Sequence, residues 1–206
     1  PTEHASMEDY LGCKVSFLKQ CDNVVLYSDT RYFETIYNEV RDKHVVVYGS
    51  KESIEKLMSR DDDFFEKDTD FASIHNEDLT DHNSYFELIY GGENRAYNTN
   101  LIGDYNVENI VAAIISSLLI GIPNDQIRSS IRDVYVPGRL QVYHWKDRTF
   151  MIDYAHNYIS MYRLYEMVKK TMKPKSITVV FGCGGERYKK RREDMGRLAE
   201  QYADKV

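Results

Sequence analysis

Cysteine is scarce in this 206-residue chain. Cys13, Cys21 and Cys183 fit neither a disulfide framework nor the paired spacing of a cysteine zinc site. A reducing, cytoplasmic setting is therefore the expectation. Long apolar runs are also missing. The longest, Ile110 to Ile122, contains two serines and a glycine and is too short to span a bilayer. No charged-then-apolar leader opens the chain, so a secretory or membrane role is not expected. There is no excess of positive charge: 27 Lys and Arg stand against 33 Asp and Glu, a net charge of -6. That balance argues against general nucleic-acid binding, which rests on neutralising phosphates. Gly-Lys-Thr and Gly-Lys-Ser are both absent, so the chain carries no Walker phosphate loop. It has no internal repeat and no initiator Met, and it stops at Val206 on what reads as a helix about to feed another element. The expectation is an internal piece of a longer protein.

What is present is the composition of a folded chain, with 42% hydrophobic and 29% charged residues. Ser6 to about Gln20 reads as a helix capped by Ser6, with Met7, Leu11, Lys14 and Leu18 on one face. Asn23 to Tyr27 and His44 to Tyr48 read as strands around a helix from Tyr32 to Val40, an α/β pattern with a parallel sheet. The acidic stretch from Arg60 to Asp70 reads as a solvated loop or edge. Tyr85 to Leu101, broken at Gly91-Gly92, suggests a hairpin, and Asn106 to Gly121 a core helix. Ile127 and Ile131 mark a shorter helix beyond Gly121 and Pro123. Pro137-Gly138 is the best boundary, dividing residues 1–136 from 137–206. After it, a strand from Phe150 to Asp153, a helix through Met161, Leu164, Tyr165, Val168 and Met172, and a strand from Ser176 to Phe181 would make one βαβ unit. Glu193 to Ala203 returns to helix.

Three places could carry chemistry. The turn Asp153-Tyr154-Ala155-His156 follows a strand end, where open α/β sheets bind ligands, although a polar strand end with no ligand fits equally well. Gly182-Cys183-Gly184-Gly185-Glu186-Arg187 leads into a basic run ending at Arg192, which suits a phosphate or carboxylate as well as bare solvent. Asn106 and Asn109 stand near a helix start. One could be an N-cap, or both amides could read a purine edge.

Four segments occur in register: Leu101-Ile-Gly-Asp-Tyr-Asn-Val-Glu-Asn109, Pro137-Gly-Arg-Leu140, Asp153-Tyr-Ala-His156 and Phe181-Gly-Cys-Gly-Gly-Glu-Arg187 with Met195-Gly196. Together they resemble the Mur ligases, in particular the UDP-N-acetylmuramoyl-tripeptide synthetase type. The opening Glu3-His-Ala-Ser-Met-Glu-Asp-Tyr-Leu-Gly-Cys-Lys14 is similar to that family's carbamylated-lysine segment and looks closer to its lysine-adding members. The resemblance covers essentially the whole chain. It implies an α/β fold in which residues 1–136 are the later part of a central ATP-binding domain, a parallel sheet with helices and a small hairpin region. Residues 137–206 would be the first half of a Rossmann-like C-terminal domain.

The implied activity is ATP-dependent addition of L-lysine or meso-diaminopimelate to UDP-MurNAc-L-Ala-D-Glu through an acyl phosphate, in peptidoglycan synthesis. ATP and Mg²⁺ would be required, and the full-length protein would be a monomer. The phosphate loop and the amino-acid specificity motif would lie outside this stretch, leaving the 206 residues inactive alone.

By the same resemblance Lys14 would be the carbamylated lysine, and burial of its stem would favour the neutral amine that carbamylation needs. As a carbamate it would offer oxygens to Mg²⁺. His4 is a second candidate metal ligand. Asn106 and Asn109 would contact adenine, Arg139 the phosphates, and Asp153 and His156 the nucleotide. Arg187 would bind the incoming amino acid's carboxylate. Two rival readings are a folylpolyglutamate synthetase-like ligase and a non-catalytic nucleotide-binding module of the same fold. A phosphate loop upstream would discriminate against the module.

Overall fold

A computed structural model describes residues 4, 6–60, 63–184 and 190–206. The sequence His44-Val-Val-Val-Tyr has no polar alternation, the mark of a strand buried on both faces. It forms the interior strand β2 (His44–Ser50), paired in parallel with β1 (Asn23–Tyr27) on one side and β3 (Asp70–Leu79) on the other. Val45 and Val47 enter one layer, while Val46 and Tyr48 enter the opposite one. From β3 the sheet continues antiparallel through β4 (Ser84–Tyr90) and β5 (Glu93–Thr99), in the order β1-β2-β3-β4-β5. The β4–β5 turn is Gly91-Gly92, both at positive φ, as a two-residue hairpin of this twist requires.

Helices cover both faces. On one side α1 (Met7–Leu18), α2 (Phe33–Val40) and α3 (Lys51–Met58) bury Val15, Tyr37, Val40 and Ile54 against β1 and β2. On the other, α4 (Asp104–Leu119) lays Val107, Val111, Ile114 and Ile115 on Phe86, Leu88 and Tyr97, and α5 (Asn124–Arg132) adds Ile127. Within residues 1–136, the expected first helix, strands, hairpin and core helix are all present. Two elements there, α3 and β3, were not expected. Part of the acidic stretch is also less solvated than its charge suggests, since Phe64 and Phe65 pack beside Tyr37.

The segment after residue 137 differs from the expected βαβ unit. The strand β7 (Arg148–Ile152) pairs antiparallel with β6 (Gln141–Trp145) in a separate two-stranded sheet. Residues 176–181 form no full strand beside it. Their inward side chains Ile177, Val179 and Phe181 pack on α6 (Tyr158–Met167) and α7 (Lys190–Tyr202). Their backbone finds its partners beyond α7: Val179 N donates to Lys205 O, Asp204 N donates to Ile177 O, and Thr178 bridges Lys205 in parallel. The parallel partner thus follows the next helix rather than preceding α6. The β6–β7 turn closes locally, and its two strands satisfy each other's hydrogen bonds. The helix α6 runs on into one π-helical turn, Val168–Met172. It is apolar on two sides: Met161 and Tyr165 face α7, and Leu164 and Val168 face the hairpin.

Candidate functional site at the junction of α4, α6 and the hairpin

Gly103 precedes α4 at φ 92°, where a side chain is strained, and an added Cβ would also stand 3.2 Å from Tyr105 and 3.3 Å from Met167. Glycine is therefore the N-cap, and neither asparagine takes that role. Asn106 lies inside the first turn, buried, with its amide donating 2.8 Å to Ile102 O. Asn109, one turn on, is exposed at the surface of α4.

The helix start meets the hairpin through Ile102, Leu140 and Met167, with Tyr105, Val142 and Met151 packed around them. This contact brings the residues flanking the Pro137-Gly138 boundary to α4. Asp153 ties the hairpin ends together, since one carboxylate oxygen accepts from Leu140 N at 2.9 Å and the other from Ala155 N at 2.7 Å. Arg139 is exposed and lies over the Tyr154 ring at 4.9 Å. His156 donates through Nδ1 to Tyr154 O at 2.9 Å, and its ring sits 5.0 Å from Tyr154. Asn157 then caps α6 in a reciprocal box with Ser160. The structure therefore brings Asn106, Arg139 and Asp153 to one junction, with His156 on its Tyr154 side. Arg187 lies outside the described residues.

The charge centre of this junction was not anticipated. The side chain of Glu108 accepts two hydrogen bonds from the Arg163 guanidinium, at 2.7 and 2.8 Å, and one from Tyr27 Oη at 2.8 Å. Arg163 also reaches Asp104 at 3.1 Å. One bidentate pair thus joins α4 to α6 and to the carboxyl end of β1, in the geometry that makes arginine–carboxylate contacts strong. The Glu108 hydrogen bond holds Arg163 protonated more firmly than usual, and burial, followed by that carboxylate, pushes the Tyr27 phenol up. Tyr105 Oη is buried without a partner among the described residues; burial, then the charges of Asp153 and Asp104, raise its phenol well above the ordinary range. A signal for this cluster existed in the sequence. Asp104 and Glu108 are the only charged residues of α4, one turn apart on a helix otherwise made of apolar and small polar residues.

Lys14 departs from the expected packing. The buried face of α1 runs through Leu11, Val15 and Leu18, a rotation of about 100° per residue away from the stripe read through Lys14. Met7 is half exposed and Lys14 is exposed, its Nζ 5.4 Å from the centre of the Tyr10 ring. His4 packs edge-on against the same ring at 5.2 Å. His4 Nδ1 lies 3.3 Å from Asp9 Oδ2 and 3.9 Å from Cys13 Sγ. Nitrogen, sulfur and one carboxylate do not make the oxygen octahedron that Mg²⁺ demands, and a lysine ammonium offers no acceptor. The residues here do not fit Mg²⁺.

Comparison with known proteins follows this geometry. Residues 2–117 match the Mur ligase middle domain, and residues 138–206 match the Mur ligase glutamate ligase domain. The chain is 31% identical over 98% of its length to UDP-N-acetylmuramoyl-L-alanyl-D-glutamate--2,6-diaminopimelate ligase of Aquifex aeolicus, of which it covers 38%. It is 30% identical over 99% of its length to the corresponding L-lysine ligase of Streptococcus thermophilus, again covering 38%. Among solved structures, MurF from Acinetobacter baumannii aligns over 97% of this chain and 41% of that one, with TM-score 0.73 at 17% identity. Folylpolyglutamate synthetase from Lactobacillus casei aligns over 90% of this chain and 49% of that one, with TM-score 0.59 at 18% identity; both likenesses concern the fold alone. The chain spans about two fifths of the length of the curated relatives it matches. With its two domain matches and its relatives at this identity, the chain belongs to the Mur ligase family.

Proposed function

We propose that this chain forms the nucleotide-facing and hinge portion of an ATP-dependent amide ligase that joins a diamino acid, L-lysine or meso-diaminopimelate, to UDP-MurNAc-L-Ala-D-Glu in the cytoplasm. The observation that carries the reading is the meeting of Asn106, Arg139 and Asp153 at one junction, between the segments that match the two Mur ligase domains. The relatives' names supply the substrate class.

In this reading residues 1–136 and 137–206 act as two domains hinged at Pro137-Gly138. ATP supplies the phosphoryl group that activates the acceptor carboxylate, and the diamino acid's amine then displaces phosphate. The chain's own residues provide position and charge. Asn109 offers its amide to the adenine edge beside Asn106, whose own amide steadies the helix start. Arg139, exposed and lying over the Tyr154 ring, can pair with phosphate oxygens as charge builds on them. Asp153 fixes the hinge by accepting two backbone N–H groups, so its part is to position Arg139 and the following turn. His156 faces the nucleotide side, and Arg187 meets the amino acid's carboxylate. Lys14 enters as a surface carbamate whose part is its negative charge. Without a phosphate loop these 206 residues alone would not turn over.

The test uses the full-length protein, with phosphate release measured as a function of both acceptor and diamino acid. Arg139→Ala should lower kcat by about 100-fold or more, the loss typical of a removed charge-stabilising donor. Unchanged kcat and unchanged ATP KM would reject the assignment. Lys14→Ala should lower turnover through loss of the carbamate's negative charge and leave the melting temperature alone, because the side chain is exposed. Full activity in that variant would reduce Lys14 to a surface residue.

A further inference from the structure

One cluster of donors, which includes the His4 weighed above for Mg²⁺, takes no part in the proposed ligase chemistry. Asp9 and Cys13 lie one helical turn apart on α1 and so project from the same face. His4 reaches that face from the segment ahead of the Ser6 cap, which Asp9 N–H fastens by donating to Ser6 Oγ at 3.2 Å. The donor atoms of His4, Asp9 and Cys13 all lie within 4.8 Å of one another. The imidazole is held in place by its edge-on contact with Tyr10, and only 24% of its side chain is exposed.

A tetrahedral ion with bonds of about 2.0–2.3 Å keeps its ligand atoms about 3.3–3.8 Å apart, so this arrangement needs to contract by about 1.5 Å at most. Imidazole nitrogen, thiolate and a single carboxylate oxygen are the donors that select Zn²⁺ and its substitutes, not the hard cations. Spacing rules for paired cysteines miss such a site, because it mixes three residue types across a helix cap.

We propose that His4, Asp9 and Cys13 form a binding site for a thiophilic divalent cation of the zinc type, with three protein ligands and a fourth position open to water. Binding releases the Cys13 proton to solvent, since thiolate is the ligand form.

The probe is Co²⁺, which takes zinc's geometry and reports its ligands by colour. Titrated into the reduced full-length protein, one equivalent should give visible bands of tetrahedral intensity and a thiolate-to-cobalt charge-transfer band in the near ultraviolet. C13S should lose the charge-transfer band while Cys21 and Cys183 remain. D9N should weaken Co²⁺ affinity roughly 10- to 100-fold, the range seen when a ligand environment is disturbed. Zn²⁺ should bleach the signal at one equivalent, and a large excess of Mg²⁺ should leave it intact. Absence of the band, its survival in C13S, or displacement by Mg²⁺ at concentrations comparable to Zn²⁺ would overturn the proposal. Asp9 and Cys13 are exposed, so both variants should keep the native far-ultraviolet dichroism. If C13S nevertheless fails to fold, H4A, which lies outside the helix, decides by the same readout: loss of tetrahedral intensity supports the site and its persistence overturns it.

Discussion

Residues 23–119 and residues 138–206 handle apolar surface in opposite ways. In the first region each strand of the five-stranded sheet has a partner, both faces of its parallel part are covered, and Val45, Val46 and Val47 are fully buried. In the second, the β6–β7 hairpin turns Val142 and Met151 inward but leaves Tyr143, Trp145, Phe150 and Ile152 each at least half exposed. The second region has comparable β-forming residues. Among the described residues, no second layer lies over the outer face of its hairpin. Burial, not strand propensity, is what separates the two, because β-propensity largely measures packing against neighbours.

The same chemical change placed in each region should expose this contrast most strongly. Ile114→Ala removes a side chain with no exposure and should cost about 2–5 kcal/mol. Ile152→Ala acts on a side chain 52% exposed and should stay within roughly 1 kcal/mol. Urea unfolding of the two variants under one condition decides it. Equal costs would mean that the hairpin's outer face is covered in solution.

The contrast also explains what could be read from the chain. The strands β1 and β2 and the helices α2 and α4 were legible because their apolar residues recur at the period of the element and find cover nearby. The strand β3 was not, since its second half, His75-Asn-Glu-Asp78, is polar and bends at a bulge where Asn76 takes positive φ. The helix α3 was missed because it buries only Ile54. The stripe through Lys14 failed for a geometric reason: positions 7, 11, 14 and 18 and positions 11, 15 and 18 share two members, and only the docking of α1 on α2 selects between them. Within the site, Asn106, Arg139 and Asp153 were reachable through their resemblance to a family pattern, and folding supplies the reason they meet. The Glu108–Arg163 pair spans 55 positions in sequence, so no local period could reveal it.

That pair is a direct charged bond between the two regions, and breaking it should rank second in effect. Glu108→Ala leaves the Arg163 guanidinium with the Asp104 carboxylate and the Tyr105 ring and strips the Tyr27 hydroxyl of its acceptor. A cost of about 1.5–3 kcal/mol is expected, the range for hydrogen bonds to charged groups. The double variant Glu108→Ala with Arg163→Met should recover part of that loss, since the half-paired Arg163 charge is gone and the Asp104 left behind is exposed. A double variant no better than the sum of the singles would show that the contact is only a surface salt bridge, worth little.

The smallest effect belongs to Glu77, at the β3 bulge, and it tests whether the seam between the regions is acidic beyond its paired core. Desolvation by the surrounding protein comes first, then the charges of Asp104 and Glu108; these raise the Glu77 carboxyl above its ordinary value, Glu52 adds to the shift and Lys170 opposes it. A carboxyl raised in the folded state binds its proton more readily there than in the unfolded chain. Ionised Glu77 therefore lowers stability above its folded pKa, and that cost disappears as pH falls through it. Glu77→Gln removes the charge at every pH. At pH 7 the variant should melt about 1–2 °C higher, a modest gain because the residue still meets solvent. As the pH falls through the ordinary carboxylate range, the two melting temperatures should converge. A gain that persisted unchanged at acid pH would trace the effect to the amide's hydrogen bonding and remove the electrostatic account of this edge of the site.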